Sequence, residues 1–120
     1  MWVDRIRWAR VEDPRAHALA QDTHLRLTLA GHVLRLVRTQ AGLFALEDRC
    51  PHQGRSFEGG WCEEGRLVCP WHRFAFDPAT GRARNGSTVN VGTHPVEQRQ
   101  DGLYIGFPYT TFRLFGLDLW

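Results

Sequence analysis

Two short motifs in the chain carry residues that bind metals. Cys50-Pro51-His52 is a C-x-H pair and Cys69-Pro70-Trp71-His72 is a C-x-x-H pair, with residues 53–68 between them. Each pair offers one soft thiolate and one imidazole. Zinc fingers usually draw two Cys from one element and two His from another. Here each motif offers one of each. That split suits a two-iron cluster in which one iron takes both Cys and the other both His, as in the [2Fe–2S] centres where two His replace two Cys. A structural Zn²⁺ site held by the same four residues is the alternative.

These motifs need a scaffold, and the chain around them reads as short strands and turns. His24 to Leu29 alternates with period two, the mark of a half-buried strand. Trp2 to Ala9, His32 to Thr39 and Leu43 to Leu46 have strand character, separated by Glu12-Asp13-Pro14, Ala30-Gly31 and Gln40-Ala41-Gly42. The spacing predicts an antiparallel meander. Residues 15–21 are expected to hold a helical turn. Residues 48–65 read as one long loop, and such loops in compact domains are usually functional. Leu67-Val68 and Phe74-Ala75-Phe76 are short strands around a second loop, 69–73. Pro95 to Arg99 and Leu103 to Phe107 flank Asp101-Gly102, a hairpin signal. The expected fold is all-β.

Composition narrows the function. At 120 residues, with 42% hydrophobic and 23% charged, the chain fits one globular domain with its own core. The 15 cations, all Arg, nearly balance 13 acids, for a formal charge of +2, which argues against a nucleic-acid partner. No apolar run reaches the roughly 18 to 20 residues that span a bilayer. The first residues lack the apolar stretch of a signal peptide, so the expected compartment is the cytoplasm. Three cysteines without an export signal point to metal binding rather than to disulfides.

The segment Cys50-Pro51-His52-Gln53-Gly54, Glu58-Gly59-Gly60, Cys69-Pro70-Trp71-His72, Phe76-Asp77 and Thr80-Gly81 resembles a Rieske ferredoxin of the low-potential, disulfide-free type. The resemblance spans residues 2–107 in layout and is most specific over 50–81. It implies a fold of small antiparallel sheets with the cluster between two loops at one tip. It also implies that Cys50 and Cys69 hold the buried iron, and that His52 and His72 hold the outer one. The domain is then 1–107, its cluster-binding part about 48–82, and 108–120 is an apolar C-terminal extension.

The chain departs from the family at informative places. High-potential members join the two loops by a disulfide, at positions that correspond here to Arg55 and Trp71. Those members also donate a Ser and a Tyr hydroxyl to the cluster sulfurs, where this chain has Phe74 and Phe76. Losing such donors lowers the potential, towards the bottom of the Rieske range at about −150 mV. Arg73 stands where the family commonly has Gly; at a positive φ it costs roughly 1 kcal/mol. The segment that often covers the cluster corresponds to Asn85-Gly86.

Other residues have plainer readings. His17, His24, His32 and His94 lack ligand spacing and read as surface or strand-end residues. Cys62 is a spare thiol. Trp61 and Trp71 are placed to shield the cluster, and Arg55 and Arg73 to dock an acidic partner. The tail, with Tyr109, Phe112, Leu114, Phe115, Leu117, Leu119 and Trp120, is too apolar to hang in water. It is expected to pack on its own sheet, with self-association as the second reading.

The expected function is one-electron transfer from a flavin-containing reductase to a terminal oxygenase or similar reductase. The small Rieske subunit of an NAD(P)H-dependent nitrite reductase is an alternative, and a zinc-binding interaction module another. A free-standing oxygenase is rejected, since it needs a mononuclear iron on two His and a carboxylate. Residues 82–120 hold a single His, His94. No catalytic residue is expected.

Overall fold

The computed structural model describes residues 1–51, 53–71, 73–84 and 89–119. They form β1 (Trp2–Arg10), α1 (Pro14–His17), β2 (Thr23–Leu29), β3 (His32–Thr39), β4 (Gly42–Glu47), β5 (Trp61–Glu63), β6 (Arg66–Val68), β7 (Ala75–Phe76), β8 (Thr93–His94), β9 (Val96–Arg99), β10 (Gly102–Leu114) and β11 (Leu117–Asp118). The fold is three antiparallel sheets and a single helical turn. That turn is shorter than expected. Asp13 caps it, accepting from the Arg15 N–H at 2.9 Å, and Pro14 supplies a preset φ at its start.

The sheets lie in layers. The middle sheet, in order β2-β3-β4-β8, sits between an outer sheet, where β10 pairs with β1 and β9, and a small lobe of β5-β6-β7. Strand β3 shows why. Leu34 and Leu36 turn to the outer sheet and pack with Leu27, Ala45, Leu103, Ile105 and Phe107. Val37, with Leu46 from β4, turns the other way and packs with Phe57, Leu67, Phe76 and Val91. A strand covered on both faces reads as a continuous apolar run, because side chains alternate between faces.

Three hairpins share one turn chemistry. Ala30-Gly31, Glu64-Gly65 and Phe115-Gly116 each put two consecutive residues at positive φ, between partners that pair directly across the turn. This is the tight connection whose twist suits a right-twisted strand pair. The second of them corrects the expected long loop over 48–65, which ends in strand β5. Beyond Gly81, Ala83 bridges to Phe76, and β8 pairs with β4.

Strand β10 runs on to Leu114 and pairs with β1 from Trp2 opposite Phe112 to Arg10 opposite Tyr104. The tail is thus held by backbone ladders, yet at its tip Phe115 is 93% exposed, with Leu117 and Leu119 open too. Among the described residues no helix is long and apolar enough to cross a membrane.

Candidate metal centre

Both cysteine motifs leave the end of a strand and close on themselves in the same way. The Cys50 N–H donates to the Arg55 carbonyl at 2.6 Å, and the Cys69 N–H donates to the Phe74 carbonyl at 2.8 Å. Each bond spans five residues. In each loop the fourth residue after the cysteine reverses the chain at positive φ, Gly54 at 70° and Arg73 at 57°. The expected strain at Arg73 is therefore present: a Cβ in this region costs about 1 to 2 kcal/mol, which glycine avoids.

The loops bring Cys50 and Cys69 together. Both are buried on the apolar floor of Phe57, Leu67 and Phe76, and their side chains interact. Burial pushes the Cys69 thiol up to about 11, against a backbone N–H of Trp71 that favours the thiolate, with Cys50 raising it further. A metal held here would bind the thiolate form, so the Cys69 proton would leave on binding. Over the same loops the Arg55 guanidinium stacks on the exposed Trp71 ring, 4.4 Å from its centroid. His52, His72 and the Asn85-Gly86 cover lie outside the described residues.

A buried polar network holds the first loop to the middle sheet. Arg35, only 2% exposed, donates from Nε to Asp48 Oδ1 at 3.1 Å and from Nη2 to Oδ2 at 3.0 Å. Its Nη1 reaches Glu58 Oε2 at 2.9 Å. Asp48 also accepts from the Ser56 hydroxyl and the Phe57 N–H. Burial works to raise the Asp48 carboxyl, but the bonds from Arg35, Ser56 and Phe57 prevail and hold it below the usual range. His24 completes the network, donating from Nε2 to the Gly60 carbonyl at 2.8 Å and accepting from Arg35 at Nδ1. Gly60 has no room for a side chain, since a Cβ would meet the carbonyls of Val68 and Phe57.

His24 is thus no idle strand-end residue, and Arg35 and Asp48 escaped notice altogether. The available signal was an arginine amid the apolar residues of β3. His32 and His94 also have partners, meeting across the carboxylate of Glu47. Cys62 takes no part in the cysteine pair; burial first, then Asp22, pushes its thiol up to about 11.

Residues 9–95 match the family model of the Rieske [2Fe-2S] domain. The chain belongs to that family. The cofactor of a Rieske domain is a [2Fe–2S] cluster, and what the loops offer fits one: two buried thiols side by side, with a backbone N–H aimed at a sulfur. The Rieske chain is 30% identical over 97 residues to the ferredoxin component of a naphthalene 1,2-dioxygenase system of Pseudomonas aeruginosa, covering 80% of this chain and 86% of that one. It is 43% identical over 95 residues to a 4beta-methylsterol monooxygenase of Methylococcus capsulatus, but spans only 25% of that protein. Among solved structures it resembles a chain in the complex of reduced oxygenase and oxidized ferredoxin of carbazole 1,9a-dioxygenase. The TM-score is 0.65 and the identity 27%, over 75% of this chain and 94% of that one. The ferredoxin of the carbazole enzyme of Nocardioides aromaticivorans shares the fold, with a TM-score of 0.70 at 19% identity, over 82% and 95% of the two chains.

Proposed function

We propose that this Rieske protein is a ferredoxin that carries single electrons to an oxygenase and is not itself a catalyst. The observation that carries the reading is the pair of buried thiols, Cys50 and Cys69, set side by side by two loops of one construction. In this reading Cys50 and Cys69 hold one iron and His52 and His72 the other. The bound cluster supplies a reversible one-electron couple.

The residues around it have separate tasks. Phe57, Leu67 and Phe76 keep water from the cysteine side. Arg35 and Asp48 fix the first loop to the sheet, so that the cysteines keep their separation. Arg55 and Arg73, exposed on the loops, give an acidic partner a place to dock. A carrier needs closeness to its partners rather than a substrate pocket. The 30% identity over 97 residues to a ferredoxin component supports the carrier role.

The finer reading is a flavin-containing reductase as donor, in the cytoplasm. Residues 1–107 form the Rieske domain, with its cluster lobe at about 48–82. Residues 108–120 are its C-terminal extension, in which β10 continues to Leu114 and exposed Phe115 and Leu117 offer a surface for self-association.

The test is an absorption and EPR spectrum of protein purified without oxygen, before and after dithionite. The expected result is a red-brown protein whose reduced form shows the low average g of a His-ligated two-iron centre. It should then pass electrons from a flavin reductase to a ring-hydroxylating oxygenase. A colourless, EPR-silent protein with zinc at the four ligands would end the proposal.

A further inference from the structure

His32, Glu47 and His94 are far apart in the chain, but strand register stacks them on one face. Glu47 pairs with Leu34, two residues on from His32, and His94 pairs with Ala45, two residues before Glu47. Side chains two apart on a strand share a face. All three therefore turn to the outer sheet, as Leu34 and Ala45 do. The cysteine pair lies beyond the other face, with Val37 and Leu46.

The three side chains converge on one oxygen. Glu47 Oε1 lies 3.0 Å from His32 Nδ1 and 2.8 Å from His94 Nε2. One potential ligand atom of each residue falls within 4.8 Å of the others. The Phe107 ring backs the site, with centroids 4.8 Å from His32 and 4.9 Å from His94. The His94 side chain is 10% exposed, while those of Glu47 and His32 are about one-third or more open. The site thus has a packed inner wall and an outer side that water can reach.

Hydrogen counting points to a cation. The second nitrogen of His94, Nδ1, faces the Gly106 carbonyl at 3.2 Å. Both ring nitrogens therefore face oxygen acceptors, and a neutral ring has one N–H to give. If Nδ1–H donates to the carbonyl, Nε2 turns a lone pair to Glu47. Either a second proton on the ring or a metal ion resolves that clash of lone pairs, and the convergence of His32 on the same oxygen favours the metal. An imidazole that ligates through one nitrogen while the other donates to a backbone carbonyl is the usual arrangement at such sites. Zinc takes N and O ligands at about 2.0 to 2.2 Å. Tetrahedral placement then separates the ligand atoms by about 3.3 Å; the two nitrogen–oxygen distances, 3.0 and 2.8 Å, are close to that, and the two imidazole nitrogens lie within 4.8 Å of each other.

We propose that His32, Glu47 and His94 form a second metal site, for a first-row divalent cation such as zinc, apart from the iron–sulfur cluster. Two imidazoles and a carboxylate leave the ion one position for water. The ion ties the return strand β8 to β3 and β4. The site rests on these three residues alone and does not depend on the carrier function.

The test uses the cluster-loaded protein, kept anaerobic and stripped of loose metal with a chelator. Zinc chloride is titrated in by calorimetry near neutral pH. Metal content is measured after gel filtration, and the visible spectrum follows the cluster. The expected result is one zinc per chain beyond the cluster iron, with the cluster spectrum unchanged. In His32→Gln, at the half-buried first residue of β3, zinc affinity should fall by about tenfold or more while the thermal midpoint without zinc stays close to wild type. Glu47→Gln should do the same. Three results would overturn the proposal: no zinc retained, which leaves a proton-bridged imidazolium–carboxylate pair; equal zinc binding in His32→Gln; or zinc uptake matched by iron loss, which places zinc on the cysteines.

Discussion

Arg55 and Trp71 stack across the gap between the two cysteine loops, guanidinium carbon to ring centroid 4.4 Å. These are the positions at which the family resemblance puts a disulfide in high-potential members. A cation–π contact at an exposed site contributes about 0.5 to 1 kcal/mol, against about 2 to 4 kcal/mol for a disulfide. The loops are thus clasped by a contact weaker than a covalent bridge. Arg55→Ala should speed iron loss to a chelator, read as decay of the visible absorption, while the thermal midpoint moves little. An unchanged decay rate would show that the backbone bonds alone hold the loops.

Arg35→Met should be the costliest single change in the cluster's support. It leaves Asp48 buried without its bidentate partner, and breaking such a pair costs about 3 to 5 kcal/mol. Urea unfolding should show the loss directly, along with poor cluster retention. A cost below about 1 kcal/mol would mean that Ser56 and the Phe57 N–H satisfy Asp48 without help.

Arg73→Gly removes a side chain from a φ of 57°. Relief of that strain should raise stability by about 0.5 to 1 kcal/mol, after the added freedom of glycine in the unfolded chain is subtracted. Denaturant midpoints check this. The same variant removes a positive charge from the proposed docking face, so its association with an acidic partner should depend less on salt.

Cys62 should be a sluggish thiol. Burial raises its pKa to about 11, so at neutral pH the folded protein holds it protonated. The direction is clear: alkylation should speed up as pH rises, about tenfold per unit, until the pH nears that value. In urea it should react like an ordinary cysteine. Cys62→Ser should keep its full iron content. Loss of iron in that variant would give Cys62 a part in the metal centre.

Phe74 stands where high-potential relatives place a serine hydroxyl on the cluster. Wild-type protein should titrate near about −150 mV. Phe74→Ser should raise the potential by about 60 mV, the one-electron equivalent of about 1.4 kcal/mol from one hydrogen bond to a charged group. No change on redox titration would show that the new hydroxyl misses the sulfurs.

Much of this molecule can be read along the chain. The C-x-H and C-x-x-H pairs stand out because ligand chemistry allows few residue types. Strand β2 is legible because period two survives in it, and β3 and β4 because their apolar runs lie between turn residues. What is lost follows from distance and from turn chemistry. Glu64-Gly65 and Phe115-Gly116 make the same turn as Ala30-Gly31, but only Ala30-Gly31 lies between two strands long enough to show a pattern. Strands β5 and β8, three and two residues long, are too short to show any period. Arg35 meets Asp48, Ser56 and Glu58 only after two layers pack, and His32 meets Glu47 and His94 only through register. No local pattern encodes those contacts.

The pairing of Trp2 with Phe112 has a consequence for how the protein comes to exist. The middle sheet and the cluster lobe are built from neighbours, β2 on β3 on β4 and β5 on β6 on β7. The outer sheet joins the two ends of the chain, and closing so long a loop is the slower event. On a ribosome β1 emerges first and is seated last. Both cysteines are synthesised, and the floor of Val37, Leu46, Phe57, Leu67 and Phe76 can form beneath them, while β10 is still unmade. The floor of the metal pocket can then form before β10 seats β1, and the expected consequence is that iron delivery does not wait for the outer sheet.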